Sequence, residues 1–136
     1  MKTEWDESIT TGNRQLDDEH KRLIQILNRI EAHQNDPVES EAVSLVIEEI
    51  REFASYHFRH EEKYMQQINF PDFEDHKEQH KRFREKIASL CLDVMDHKKE
   101  APKNIYQCLS DWVANHTCCA DKKFCEYSEK PQPHMI

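Results

Sequence analysis

Glycine is almost missing from this 136-residue chain: it occurs once, at Gly12, and prolines number only five. A chain so poor in both suits a few long helices joined by short turns. Positive charge is also scarce. The 19 lysines and arginines are outnumbered by 27 acidic residues, and a net charge of -8 argues against nucleic acid or an anionic membrane as partner, since both need a basic face. No apolar run approaches the roughly 20 residues of a membrane span. The opening stretch MKTEWDESITTGN has no apolar core of signal-peptide length, so a soluble cytoplasmic protein is expected. Five cysteines, an odd number, exclude a fully paired secreted framework and point to reduced thiols. The length fits one domain, 1–136. What the chain has in excess is histidine, nine residues in all.

Apolar residues recur at helical steps along most of the sequence. After an irregular arm (1–16), Leu16, His20, Leu23, Leu27 and Ile30 share one face of a helix expected over 17–34. Asp36 as N-cap, Pro37 at the first helical position and Glu39 at the third predict a second helix over 37–66. Its face reads Val43, Ile47, Ile50, Phe53, Ala54, His57, Glu61 and Tyr64. Pro71 breaks the pattern, and a third helix is expected over 72–98 with Phe73, His76, His80, Phe83, Ile87, Leu90 and Val94 in one stripe. Lys98 and Lys99 suit its C-terminal dipole. A fourth, over 102–126, aligns Ile105, Leu109, Trp112, Val113, His116 and Ala120, leaving 128–136 as a frayed tail. Four helices with short connections predict an all-α, antiparallel up-down-up-down four-helix bundle.

Each helix carries at least one histidine on its apolar stripe, where a bland acidic bundle would keep such groups in solvent. His57 and Glu61 are four residues apart, as are His76 and His80, so each pair projects from one side of a helix toward a common point. One buried histidine is ordinarily satisfied by a hydrogen bond. Several imidazoles and carboxylates in one apolar core would each need a partner, and a metal supplies it.

The stretch HTCCAD, His116 to Asp121, adds a histidine and an aspartate five positions apart. At about 100° per residue these diverge by about 140°, and Cys118 and Cys119 point about 130° away from their bisector. The cysteines therefore flank the site without ligating it. Five imidazoles (His20, His57, His76, His80, His116) and two carboxylates (Glu61, Asp121) are too many for one transition-metal ion. If both carboxylates and an oxo or hydroxo group bridge two ions, a three-plus-two division of imidazoles leaves one ion with an open position. Imidazole and carboxylate without thiolate suit iron ahead of manganese or zinc.

Several stretches together resemble the hemerythrins, in particular single-domain bacterial members. They are Trp5, LDDEHKRL around His20, HFRHEE from His57, HKEQH from His76 to His80, and WVANHTCCAD from Trp112 to Asp121. The resemblance implies a four-helix bundle around a non-haem di-iron centre that binds O2 reversibly, with Glu61 and Asp121 bridging. It also implies that His76, His80 and His116 hold the saturated iron, while His20 and His57 hold the iron with the vacancy; spacing alone does not assign that split. Val113 and Thr117 stand where family members commonly have leucine and isoleucine, at positions similar to those lining the oxygen pocket. A smaller residue and a hydroxyl there would admit water and favour oxidation of the centre.

The remaining residues are read more plainly. Trp5 and Trp112 are taken as packing residues, and His33, His60, His97 and His134 as surface groups, with only His60 near enough to Glu61 for a supporting role. Cys91 and Cys108 are read as small buried hydrophobes. Cys118, Cys119 and Cys125 leave room for a thiol-linked sensor. Oxygen-activating helical-bundle enzymes use Glu-x-x-His pairs, and no histidine here has glutamate three residues before it. The histidine-rich site therefore points to binding of O2, for storage, delivery or sensing by a monomer, rather than to an enzyme acting on peroxide or nitric oxide.

Overall fold

The structure, a computed structural model, describes residue 11 and residues 13–120, with side chains described as far as His116. Its elements are α1 (Arg14–His33), α2 (Glu41–Gln67), α3 (Phe73–Met95) and α4 (Ala101–Trp112), continued by a π-helical segment over Val113–Ala120. Each helix packs on its neighbours in sequence, and α1 also packs on α4, which closes the four into a ring. The connections are short, so adjacent helices run antiparallel, as expected of an up-down-up-down bundle. Leu23, Ile26, Ile30, Val43, Val46, Ile50, Phe58, Ile105 and Leu109 are all fully buried along its axis. Among the described residues no helix is long and apolar enough to cross a membrane.

The helix starts explain where the observed limits differ from those expected. Helix α1 begins three residues earlier than 17, because the Asn13 side chain accepts from Leu16 N at 3.1 Å and satisfies an otherwise open donor. Thr11, buried just before it, donates its hydroxyl to Asp17 Oδ1 at 2.8 Å and its N–H to the same oxygen at 2.7 Å. Helix α2 starts at Glu41 rather than 37. Ser40, not Asp36, is its cap, accepting from Val43 N at 3.4 Å. Asp36 is occupied elsewhere, 2.7 Å from His33 Nδ1, and Val38 is buried, so residues 37–39 form a turn that tucks a hydrophobe inward.

The helix ends show how a bundle closes without glycine. Asn69 and His97 both have φ of 55°, the left-handed region. After α2, Phe70 N bonds Met65 O at 2.9 Å and Asn69 N bonds Gln66 O at 3.2 Å, the paired closure of a Schellman motif. After α3, Lys98 N bonds Asp93 O and His97 N bonds Val94 O, both at 3.0 Å. That second closure ends α3 at Met95, short of the expected 98, and Lys98 pairs its ammonium with Asp93 Oδ1 at 3.3 Å.

The fourth helix is not one uniform α-helix over 102–126. From Val113 the backbone is π-helical, and residues beyond 120 lie outside the described residues. Bonds from i to i+5 place more residues in each turn, so the 100° step used for His116 and Asp121, and for the direction of Cys118 and Cys119, does not hold over this stretch. Nothing in VANHTCCA, which lacks glycine and proline, announces the change. Such π segments recur at functional sites.

Candidate metal centre

Six of the seven expected ligands converge at one end of the bundle. His20 comes from α1, His57 and Glu61 from α2, His76 and His80 from α3, and His116 from the π-helical segment. All six are buried, with His20, Glu61 and His80 at 0% exposure. Asp121 lies outside the described residues, as do Cys125, Trp5 and His134.

Glu61 organises the group. Its Oε1 lies 2.8 Å from His76 Nε2, 2.8 Å from His80 Nε2 and 3.5 Å from His116 Nε2. Its Oε2 faces the other way, 3.3 Å from His20 Nε2 and 3.1 Å from His57 Nε2. The imidazoles also approach one another, His20 Nε2 to His57 Nε2 at 3.0 Å and His80 Nε2 to His116 Nε2 at 3.2 Å. Two donors bound at right angles to an ion with bonds of about 2.1 Å sit about 3.0 Å apart, so these separations match the edges of a coordination polyhedron. Two groups of ligand atoms, each lying within 4.8 Å of one another, result: Glu61, His76, His80 and His116, and His20, His57 and Glu61. Among the described residues the donor set is imidazole and carboxylate, which fits iron.

Electrostatics agree with a built site. Burial alone would push the Glu61 carboxyl up, but the facing His57 and the hydrogen bonds from His116, His20 and His57 hold it well below its ordinary value. Burial would push His57 down; the Glu61 charge and the hydrogen bonds to Glu19 and Glu61 outweigh it and leave the imidazole raised.

The outer nitrogens are also engaged, by residues that sequence reasoning missed. His57 Nδ1 lies 2.7 Å from Glu19 Oε1, His80 Nδ1 lies 2.8 Å from Glu62 Oε2, and His116 Nδ1 lies 2.9 Å from Gln79 Oε1. Glu19 Oε2 also takes His60 Nδ1 at 2.7 Å, which draws that half-buried histidine into the periphery of the site. An Nδ1–H donated outward fixes the tautomer and leaves the Nε2 lone pair for a metal. Aromatic rings cover the imidazole faces: Phe53 stacks on His57 at 4.7 Å, Phe58 on His80 at 4.0 Å, and Trp112 on His116 at 3.8 Å. Trp112 is thus more than a core filler. It also lines a groove of about 370 Å³ between α3 and the last helix, with Gln79, Arg82, Phe83, Cys108 and His116.

Val113 is buried at 3% exposure within the core cluster, and Thr117 is described only as backbone in the π-helical segment. Cys91 and Cys108 are half-buried free thiols rather than buried ones. Burial pushes both up, Cys108 to about 11, with Lys86 opposing and Asp111 adding to the shift. Neither is an activated thiolate. His97 is exposed and His33 half-buried.

The arrangement defines a helical-bundle metal-binding domain of the non-haem iron class. The family described as the hemerythrin HHE cation binding domain matches residues 11–127, and the chain belongs to that family. It is 28% identical over 120 residues to a hemerythrin-like protein from Naegleria gruberi, covering 88% of each chain. It is 26% identical over 131 residues to a bacteriohemerythrin from Stenotrophomonas maltophilia, covering 96% of this chain and 82% of that one. A bacteriohemerythrin from Clostridium acetobutylicum is 26% identical over 126 residues, covering 88% and 96%.

Proposed function

We propose that the chain binds O2 reversibly at a di-iron centre held by His20, His57, Glu61, His76, His80, His116 and Asp121, as an oxygen-storage, delivery or sensing protein of the cytoplasm. The observation that carries this reading is the Glu61 carboxylate, whose two oxygens face two separate sets of imidazoles. A carboxylate serving one ion would have no reason to divide its oxygens so evenly between sets.

When bound, an iron pair would supply the two electrons that O2 accepts on binding and would take them back on its release. The chain's own residues do the rest. Three imidazoles on the Oε1 side against two on the Oε2 side leave the His20 and His57 half less crowded, which is where a small ligand has room. Leu16, Leu23 and Phe53, buried at 1%, 0% and 1% exposure on the helices that carry those two histidines, keep bulk water away. Exclusion of water disfavours loss of reduced oxygen and supports reversible release. Val113, buried three residues before His116, is the proposed wall of the oxygen pocket, with Thr117.

The experiment is direct. Iron-loaded protein, reduced without air, is exposed to O2 and then deoxygenated. A visible charge-transfer band that appears and vanishes, together with two irons per chain, is the expected result. An irreversible change, or turnover of peroxide or nitric oxide well above the free-iron background, would overturn carriage in favour of an enzyme.

A further inference from the structure

Glu19, Glu62 and Gln79 share a placement that no ligand rule requires. Each is the sequence neighbour of a ligand on its own helix: Glu19 precedes His20, Glu62 follows Glu61 and Gln79 precedes His80. Each directs its side chain to a histidine of the next helix along the chain, the π-helical segment being the continuation of α4. Glu19 on α1 reaches His57 on α2, Glu62 on α2 reaches His80 on α3, and Gln79 on α3 reaches His116 in the π-helical segment. Three of the four seams of the bundle are thereby linked through the outer nitrogens of the imidazoles.

We propose that Glu19, Glu62 and Gln79 are positioning residues that set the metal affinity of the two halves of the centre separately, Glu19 for the His20 and His57 half, Glu62 and Gln79 for the other. The inference rests on the two-ion reading given above. Each of the three histidines is held twice, by a hydrogen bond at its edge and by an aromatic ring on its face, so removing the hydrogen bond frees rotation toward or away from the ion. The three supports differ in strength. Glu19 is anchored by both oxygens, to His57 and to His60, with its side chain only 10% exposed. Glu62 supports His80 through one oxygen. Gln79 offers a neutral amide, oriented by its Nε2 donating to Asp75 Oδ2 at 3.1 Å so that the carbonyl faces His116. A carboxylate behind an imidazole makes it a stronger donor than an amide does. His80 is therefore a stronger ligand than His116 within their half.

Co2+ titration of the metal-free 136-residue chain tests this, read by calorimetry and by the visible absorption of the bound ion. The unaltered chain should take two equivalents. Glu19→Gln should weaken one of them by about 10–100-fold and leave the other unchanged, whereas Glu62→Gln should weaken the other one. The double variant should weaken both. Gln79→Glu should tighten the equivalent that Glu62→Gln weakens and alter its absorption, an effect of charge that a merely structural role would not produce. Thermal melting of the metal-free variants separates loss of fold from loss of affinity, and Gln79→Glu, at a partly exposed position, keeps the question open to an answer if Glu19→Gln does not fold. Glu19→Gln and Glu62→Gln weakening the same equivalent, both alike, or neither would overturn the division into halves. Oxygen plays no part in this titration, so that failure would leave O2 binding standing. One equivalent in the unaltered chain would instead sink the two-ion reading, and the division with it.

Discussion

The two ends of the bundle are built on different physics. At the end opposite the metal centre, Ile30, Val43, Val46, Ile50, Ile105 and Leu109 are sealed from solvent at 0% exposure and interact only by contact. At the metal end, six buried polar residues are held by distances of 2.7–3.5 Å, each with a named partner. Apolar burial is non-directional and tolerates repacking. A polar network in low dielectric is directional, and each member that loses its partner is left at high cost. The first end supplies stability and the second spends some of it on a site.

The sharpest way to break this contrast is Glu61→Gln. Loss of the carboxylate that, among the described residues, faces both sets of imidazoles should abolish binding of both metal equivalents while far-ultraviolet circular dichroism remains helical. Retention of either equivalent would mean that the two sets do not depend on a shared bridge. Ile50→Ala should do the converse. A cavity at the apolar end should destabilise the chain by about 2–5 kcal/mol in urea, with metal stoichiometry unchanged in the folded molecules.

Cys108 lies between the extremes, on the groove that reaches His116. With its thiol pushed up to about 11, a smaller fraction is thiolate at pH 8 than in an unfolded peptide, and alkylation followed by mass spectrometry should run about 100-fold slower than for a free thiol. The rate should recover as the pH rises toward 11. Fast labelling of Cys108 at pH 8 would show that burial does not suppress its thiolate. Val113→Leu should slow autoxidation of the oxygenated protein by a few-fold, since a larger side chain excludes water; unchanged or faster decay would remove Val113 from the pocket wall. The smallest effect belongs to the glycine-free closure of α3. His97→Gly relieves a left-handed residue at φ 55° and should raise stability by about 1 kcal/mol, with no change at the metal end. Destabilisation would show that the His97 side chain contributes more than its backbone strain removes.

Much of this molecule was legible as periodicity. The i, i+4 pairs His57 with Glu61 and His76 with His80 are geometric facts about a helix, true before any helix packs on another. Helix boundaries were less legible where two residues competed for one role. Asp36 and Ser40 are both good caps, and the choice fell to Ser40 because His33 takes Asp36 and Val38 prefers the interior. A local signal for the supporting residues exists only in hindsight: a Glu or Gln directly beside three of the ligands, Glu19 beside His20, Glu62 beside Glu61 and Gln79 beside His80.

From the periodicity alone it follows that there are four helices and that each offers a histidine to a shared core. Those are properties of composition and of angular spacing within single helices. Packing settles that Glu61 divides its oxygens between two sets of imidazoles, that Glu19, Glu62 and Gln79 stand behind the ligands of the following helix, and that the last helix widens into a π-helical segment from Val113. Each of these depends on the rotation and register of one helix against another, and the periodicity of a single helix carries no record of either.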